Sequence, residues 1–130
     1  MRRAIDTAAA PRPIGPYSQA IVTDALVFCA GQIGLDPATG ALVAGGAAAQ
    51  AERAIRNLEA VLAASGLGLG DVAKTTLFLV DLADGPVVSA VYAARFPSPH
   101  PARSTVQVSA LPAQARVEIE AIAVRPPGRD

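Results

Sequence analysis

Ala47-Ala48-Ala49-Gln50-Ala51-Glu52-Arg53-Ala54-Ile55-Arg56-Asn57-Leu58-Glu59-Ala60-Val61-Leu62-Ala63-Ala64-Ser65 and, a glycine-rich step later, Val72-Ala73-Lys74-Thr75-Thr76-Leu77-Phe78-Leu79-Val80 decide the fold class. In the first run apolar residues recur at Ala51, Ile55, Leu58 and Leu62, and Ala54 and Val61 widen the stripe. Glu52, Arg53, Arg56 and Glu59 fall largely off it. That spacing predicts an amphipathic helix of good propensity, closed by Gly66 as a left-handed C-terminal residue. The second run is apolar and β-branched, has the length of a buried strand, and ends at Asp81.

Working outward, Asp84-Gly85-Pro86 signals a second helix start, with Pro tolerated in the first turn. Val87, Val88, Val91, Tyr92 and Ala94 follow at helical spacing, and Phe96-Pro97 stops the run. On the N-terminal side, residues 18–23 and 26–31 are β-leaning runs separated by Asp24-Ala25, which predicts a tight hairpin. Asp36-Pro37-Ala38-Thr39-Gly40 reads as a turn. Residues 1–12 read as a surface arm, with structure starting near Tyr17. Residues 104–109 and 116–125 read as a terminal hairpin folded near Pro112. The order β-β-α-β-α-β-β over residues 1–130 predicts one α+β domain, a five- to six-stranded mixed sheet with two helices on one face. Val27 and Cys29 share one face of their strand, and Leu26, Phe28 and Ala30 share the other. A strand apolar on both sides suits sheets of different subunits packed in a ring.

Composition limits the chemistry. With 11 basic and 11 acidic residues the net charge is zero, and aromatics make up 4%. No electrostatic footprint or stacking platform for nucleic acid is visible. The 52% apolar and 17% charged content suggests surface buried between copies of the chain; a skewed Ala and Val usage is the rival explanation. One Cys and one His form no metal-ligand cluster. No apolar run approaches the roughly 20 residues that cross a bilayer, and the N-terminus lacks the apolar core of a secretory signal, so a cytoplasmic protein is the simplest reading. Chemistry must come from Arg, Glu, hydroxyls, backbone and water.

Arg103, in Pro101-Ala102-Arg103-Ser104, is the residue best suited to such chemistry. Its guanidinium presents donors in a fixed fork that fits a carboxylate bidentately. If the terminal hairpin forms, Arg103, Thr105 and Gln107 point to the same face as Glu118 and Glu120. A small carboxylate would then sit beside a carboxylate base. The plainer alternative is a polar sheet face that meets water.

Four pieces then fall in a specific order: Ile14-Gly15-Pro16-Tyr17-Ser18-Gln19-Ala20, Gly31-Gln32-Ile33, Lys74-Thr75-Thr76, and Pro101-Ala102-Arg103-Ser104-Thr105-Val106 followed by Val117-Glu118-Ile119. With them nearly the whole chain resembles the reactive intermediate (imine) deaminase family, historically linked with translation inhibitors. The resemblance implies a chorismate mutase-like fold assembled as a homotrimer with three intersubunit clefts. It also implies cofactor-free hydrolysis of 2-aminoacrylate, 2-iminopropanoate and related imines to 2-keto acids and ammonia. By the same resemblance Arg103 grips the substrate carboxylate and Glu118 positions or activates water. Tyr17 lines the cleft, and Gly31 and the backbone around Thr105 contact substrate. Well-known members carry Ser, Asn and Cys where this chain has Ala30, Ser89 and Thr105, so an altered substrate preference or rate is implied.

Other tempting residues have plainer readings. Lys74 could form a Schiff base, but a strand entrance favours an exposed structural role. Cys29 reads as a small buried hydrophobe rather than a nucleophile. His100 reads as a loop histidine, with a proton shuttle at the cleft rim as the alternative. Glu120, about 7 Å along the strand from Glu118, ranks behind it. The leading function is therefore an imine deaminase acting on small 2-imino acids. A non-catalytic trimer that binds small carboxylates is the rival, and an RNA-directed activity has the least support.

Overall fold

The computed structural model describes residues 1–128. Six strands form one sheet: β1 (Arg3–Ile5), β2 (Ala20–Val22), β3 (Leu26–Gln32), β4 (Val72–Leu79), β5 (Ala102–Gln107) and β6 (Val117–Val124). Two helices, α1 (Gly46–Ala64) and α2 (Gly85–Arg95), complete the α+β architecture. The strand order is β1-β2-β3-β6-β4-β5, and among the described residues only the β4–β5 pair is parallel.

The α1 stripe read from the sequence is the stripe that is buried: Ala51, Ala54, Ile55, Leu58, Val61 and Leu62 all lie in the core. They share one core with Val27 and Cys29 of β3, Leu77 and Leu79 of β4, and Val117, Ile119, Ala121 and Ala123 of β6. Gly66 takes φ +79°. Its N–H donates to the Ala63 carbonyl and the Leu67 N–H to the Leu62 carbonyl, the paired bonds of a Schellman cap, with Leu62 and Leu67 both buried beneath them. Arg95 fastens α2 to α1 through Glu52 at 2.9 Å and Glu59 at 2.8 Å.

Two expectations are corrected. Structure does not wait for Tyr17: within the surface arm of residues 1–12, β1 adds to the sheet edge, and Ile5 and Ala10 are buried. Gln19 is the cause. Its buried amide accepts from Thr7 N at 2.7 Å and donates to the carbonyls of Thr7 and Pro11 at 3.0 and 2.9 Å, so burial of the amide is matched by partners and the arm is tied down.

The terminal hairpin does not form. β6 enters between β3 and β4, while β5 runs parallel to β4 at the sheet edge. Each strand's polarity explains its place. In β6 every second residue is an apolar residue buried in the core, as a central strand requires. In β5 the corresponding positions are Arg103, Thr105 and Gln107, which only an edge can solvate. The β4-α2-β5 segment is then a parallel crossover spanned by a helix.

The sheet face away from the helices carries Phe28, Val106 and Val124, each more than 40% exposed, beside half-buried Phe78 and Ile122. Among the described residues nothing covers these apolar side chains.

Candidate functional site

Register separates the two residues that the sequence brought together. Arg103 pairs with Thr75, and Thr75 with Ala121, on the helix-facing side. Glu118 pairs with Phe78 on the open side. Arg103, Thr105 and Gln107 therefore do not share a face with Glu118 and Glu120, and β4 lies between them. This follows directly from β5 being parallel to β4 rather than folded back on β6.

Each residue nevertheless sits in its own prepared place. The β3–β6 ladder slips between Cys29 and Gln32, and Gly31 lies in that irregularity with its backbone pressed on Glu118. A Cβ at Gly31 would stand 2.8 Å from the Glu118 carboxyl carbon and 2.9 Å from Oε2, so glycine is what lets the backbone and the carboxylate approach. Half-burial, and then the Glu120 carboxylate, raise the Glu118 pKa above the ordinary glutamate value. Both effects disfavour the ion and strengthen the base.

Glu118, Gly31 and Tyr17 line one pocket, together with Arg12, Gln19 and Gln32. Its volume of about 60 Å³ holds a few waters. Tyr17 is held over its mouth by a Tyr17 N–H to Gly15 carbonyl bond of 2.8 Å, and its hydroxyl accepts from Ile14 N at 3.3 Å.

Arg103 lines a second depression with Ser89, Tyr92 and His100. Its Nη2 donates to Ser89 Oγ at 3.0 Å. The Ser89 hydroxyl thus engages the arginine directly. Half-buried Thr105 follows on the same face of β5.

The remaining residues take their plainer places. Lys74 Nζ donates to Ser104 Oγ at 2.8 Å on the exposed surface. Cys29 is buried, and desolvation pushes its thiol up to about 12, so it stays protonated. Among the described residues no group of three His, Cys, Asp or Glu could hold a metal ion, and no helix is long and apolar enough to cross a membrane. Sequence reasoning passed over Arg12 and Tyr92. Tyr92 could have been found, because it lies one turn after Ser89 on the same helix face.

The family model described as Endoribonuclease L-PSP matches residues 7–125. The human 2-iminobutanoate/2-iminopropanoate deaminase is 46% identical over 127 residues, covering 98% of this chain and 93% of the human one. This chain belongs to the reactive intermediate deaminase family. Among solved structures, RidA of an Antarctic Psychrobacter species superposes with a TM-score of 0.92 at 43% identity, covering 95% of this chain and all of the other. Escherichia coli TdcF, solved with bound serine, gives 0.91 at 40% identity, covering 95% of this chain and 99% of TdcF. The family assignment accounts for the four sequence pieces at once, and each lies at or beside one of the two pockets or on β4 between them.

Proposed function

We propose that this protein hydrolyses small reactive 2-imino and enamine acids, such as 2-aminoacrylate and 2-iminopropanoate, to 2-keto acids and ammonia. It works without a cofactor in the cytoplasm, and residues 1–130 act as one domain. The observation that carries the reading is 46% identity to the human deaminase over nearly the whole chain, in a protein that also offers Arg103 and a Glu118 raised in pKa. TdcF with bound serine adds the right ligand size, since loss of water from serine gives 2-aminoacrylate.

The chemistry needs three things: a held carboxylate, a placed water and a route for protons. Arg103 grips the carboxylate. The enamine takes a proton at its terminal carbon to become the imine. Glu118 accepts a proton from water as the oxygen adds to the carbon of the protonated imine and then returns it to the nitrogen. The hydroxyl gives up its proton to solvent as the carbonyl forms, the carbon–nitrogen bond breaks and ammonia leaves. General acid–base help of this kind contributes about 10²- to 10⁴-fold.

Because Arg103 and Glu118 lie on opposite sides of one sheet, one chain cannot bring both to a small substrate. A homotrimer resolves this. The uncovered face with Phe28, Val106 and Val124 packs against the next copy, and each of three clefts joins the Tyr17, Gly31 and Glu118 pocket of one subunit to Arg103, Ser89 and Thr105 of another. The ligand is a small 2-imino or 2-keto acid. A neutral chain with few aromatics offers nucleic acid little purchase, whatever activity the family model's description names.

The test is a coupled assay in which an amino acid oxidase generates 2-imino acids and semicarbazide competes for them. Wild type should lower semicarbazone formation, and Arg103→Ala should not. Glu118→Gln should lose turnover while still binding 2-ketobutyrate. Binding without turnover in the wild type would instead support a non-catalytic carboxylate-binding trimer.

A further inference from the structure

Arg103 is held on two sides within a single chain. Nη2 donates to Ser89, and Cζ lies 4.9 Å from the centroid of the Tyr92 ring. The ring in turn has no freedom to swing away. Tyr92 is buried, its ring stacks on Phe96 with centroids 4.3 Å apart, and its hydroxyl shares a 2.7 Å hydrogen bond with the fully buried Thr75 hydroxyl. Arg103 thus lies over a ring that Phe96 and Thr75 fix in the core.

This geometry uses the guanidinium unevenly. The guanidinium carbon sits over the ring and one N–H is spent on Ser89, which leaves most of the five donors without a hydrogen-bond partner among the described residues. A free arginine must surrender rotamer freedom to meet a carboxylate, and an arginine already laid on a ring has lost much of it. Burial also keeps the Tyr92 hydroxyl protonated by raising its pKa, so the ring attracts the cation through its π face rather than as a phenolate.

We propose that Tyr92 is a positioning residue that fixes the plane of the Arg103 guanidinium and so sets the enzyme's affinity for the substrate carboxylate. The inference rests on the deaminase reading. Its prediction is specific to binding: an interaction made equally in ground and transition states moves KM and leaves kcat alone.

The test replaces Tyr92 by phenylalanine and then by phenylalanines bearing one, two and three ring fluorines, which keep the shape while draining the negative face. Tyr92→Phe should keep KM within about twofold. Along the fluorinated series, KM for the imine and Kd for 2-ketobutyrate should rise together, by about tenfold in all, at constant kcat. Thermal melts identify the members that fold, and any two folded members give the slope. A KM independent of fluorine number would overturn the role of Tyr92. Loss of the deaminase reading is separable, because it would appear as equal turnover by wild type and Arg103→Ala.

Discussion

Glu118 owes its proposed chemistry to neighbours that make its ionised form uncomfortable. Burial raises its pKa first, and the Glu120 carboxylate two residues along the strand raises it further. Glu120 ranked behind Glu118 as a candidate, and its placement gives it a supporting part as a nearby negative charge. The sign of a test follows. A neutral amide at position 120 removes the repulsion, so Glu118 ionises at lower pH and becomes a competent base earlier in a titration. Glu120→Gln should therefore move the acidic limb of the kcat/KM profile to lower pH, with the plateau rate largely kept. An unmoved limb would mean that Glu118 is not the group titrating there. The preference for Glu118 over Glu120 came from the family resemblance, and its contact with Gly31 was not foreseen. The close approach itself arises from a register slip between strands, which no local pattern announces.

At the scale of elements, the sequence was readable wherever a single segment dictates its own form. The apolar stripe of α1, the Asp24-Ala25 turn and the stop at Phe96-Pro97 each depend on a few adjacent residues, and each is found. Pairing was not readable in the same way. β5 and β6 are adjacent in the chain and both extended, and hairpins between such neighbours are common, yet β6 has the more apolar buried face and takes the centre. The polar alternation Arg103, Thr105, Gln107 was the available signal for an edge strand. The arm was misread because its anchor, Gln19, is polar, and a buried amide that ties down backbone leaves no apolar trace. Local and tertiary determinants can be told apart by experiment at Gly66. Its φ of +79° is open to glycine but strained for any residue with a Cβ, and no neighbour lies within 4 Å of where that Cβ would be. Gly66→Ala should therefore cost about 1 kcal/mol in urea unfolding through backbone strain alone, with activity per folded molecule unchanged. A neutral result would place the stability of the α1 terminus in the buried Leu62 and Leu67 pair instead.

At the scale of the whole molecule, the proposed homotrimer answers a placement problem that one chain leaves open. The proposed carboxylate grip, Arg103, stands on an edge strand facing α2, and the proposed base, Glu118, stands on the uncovered side of the sheet, with β4 between them. Rotational symmetry can join unlike surfaces of identical copies, because a head-to-tail contact places one patch against a different patch of the next subunit. The exposed Phe28, Val106 and Val124 give such a contact its hydrophobic drive. This arrangement makes a prediction that no intrachain site shares. Arg103→Ala and Glu118→Gln should each be inactive alone. When the two are unfolded together, mixed and refolded, a cleft is intact whenever it draws Arg103 from one variant and Glu118 from the other. For random assembly in equal amounts that is about a quarter of clefts, so about a quarter of wild-type activity should return. The same two proteins mixed without unfolding should stay inactive for as long as subunits do not exchange. If no activity returns although sedimentation shows mixed trimers, the site does not draw these two residues from different subunits, and the separation of Arg103 from Glu118 would have to be closed within one chain by a rearrangement of β5.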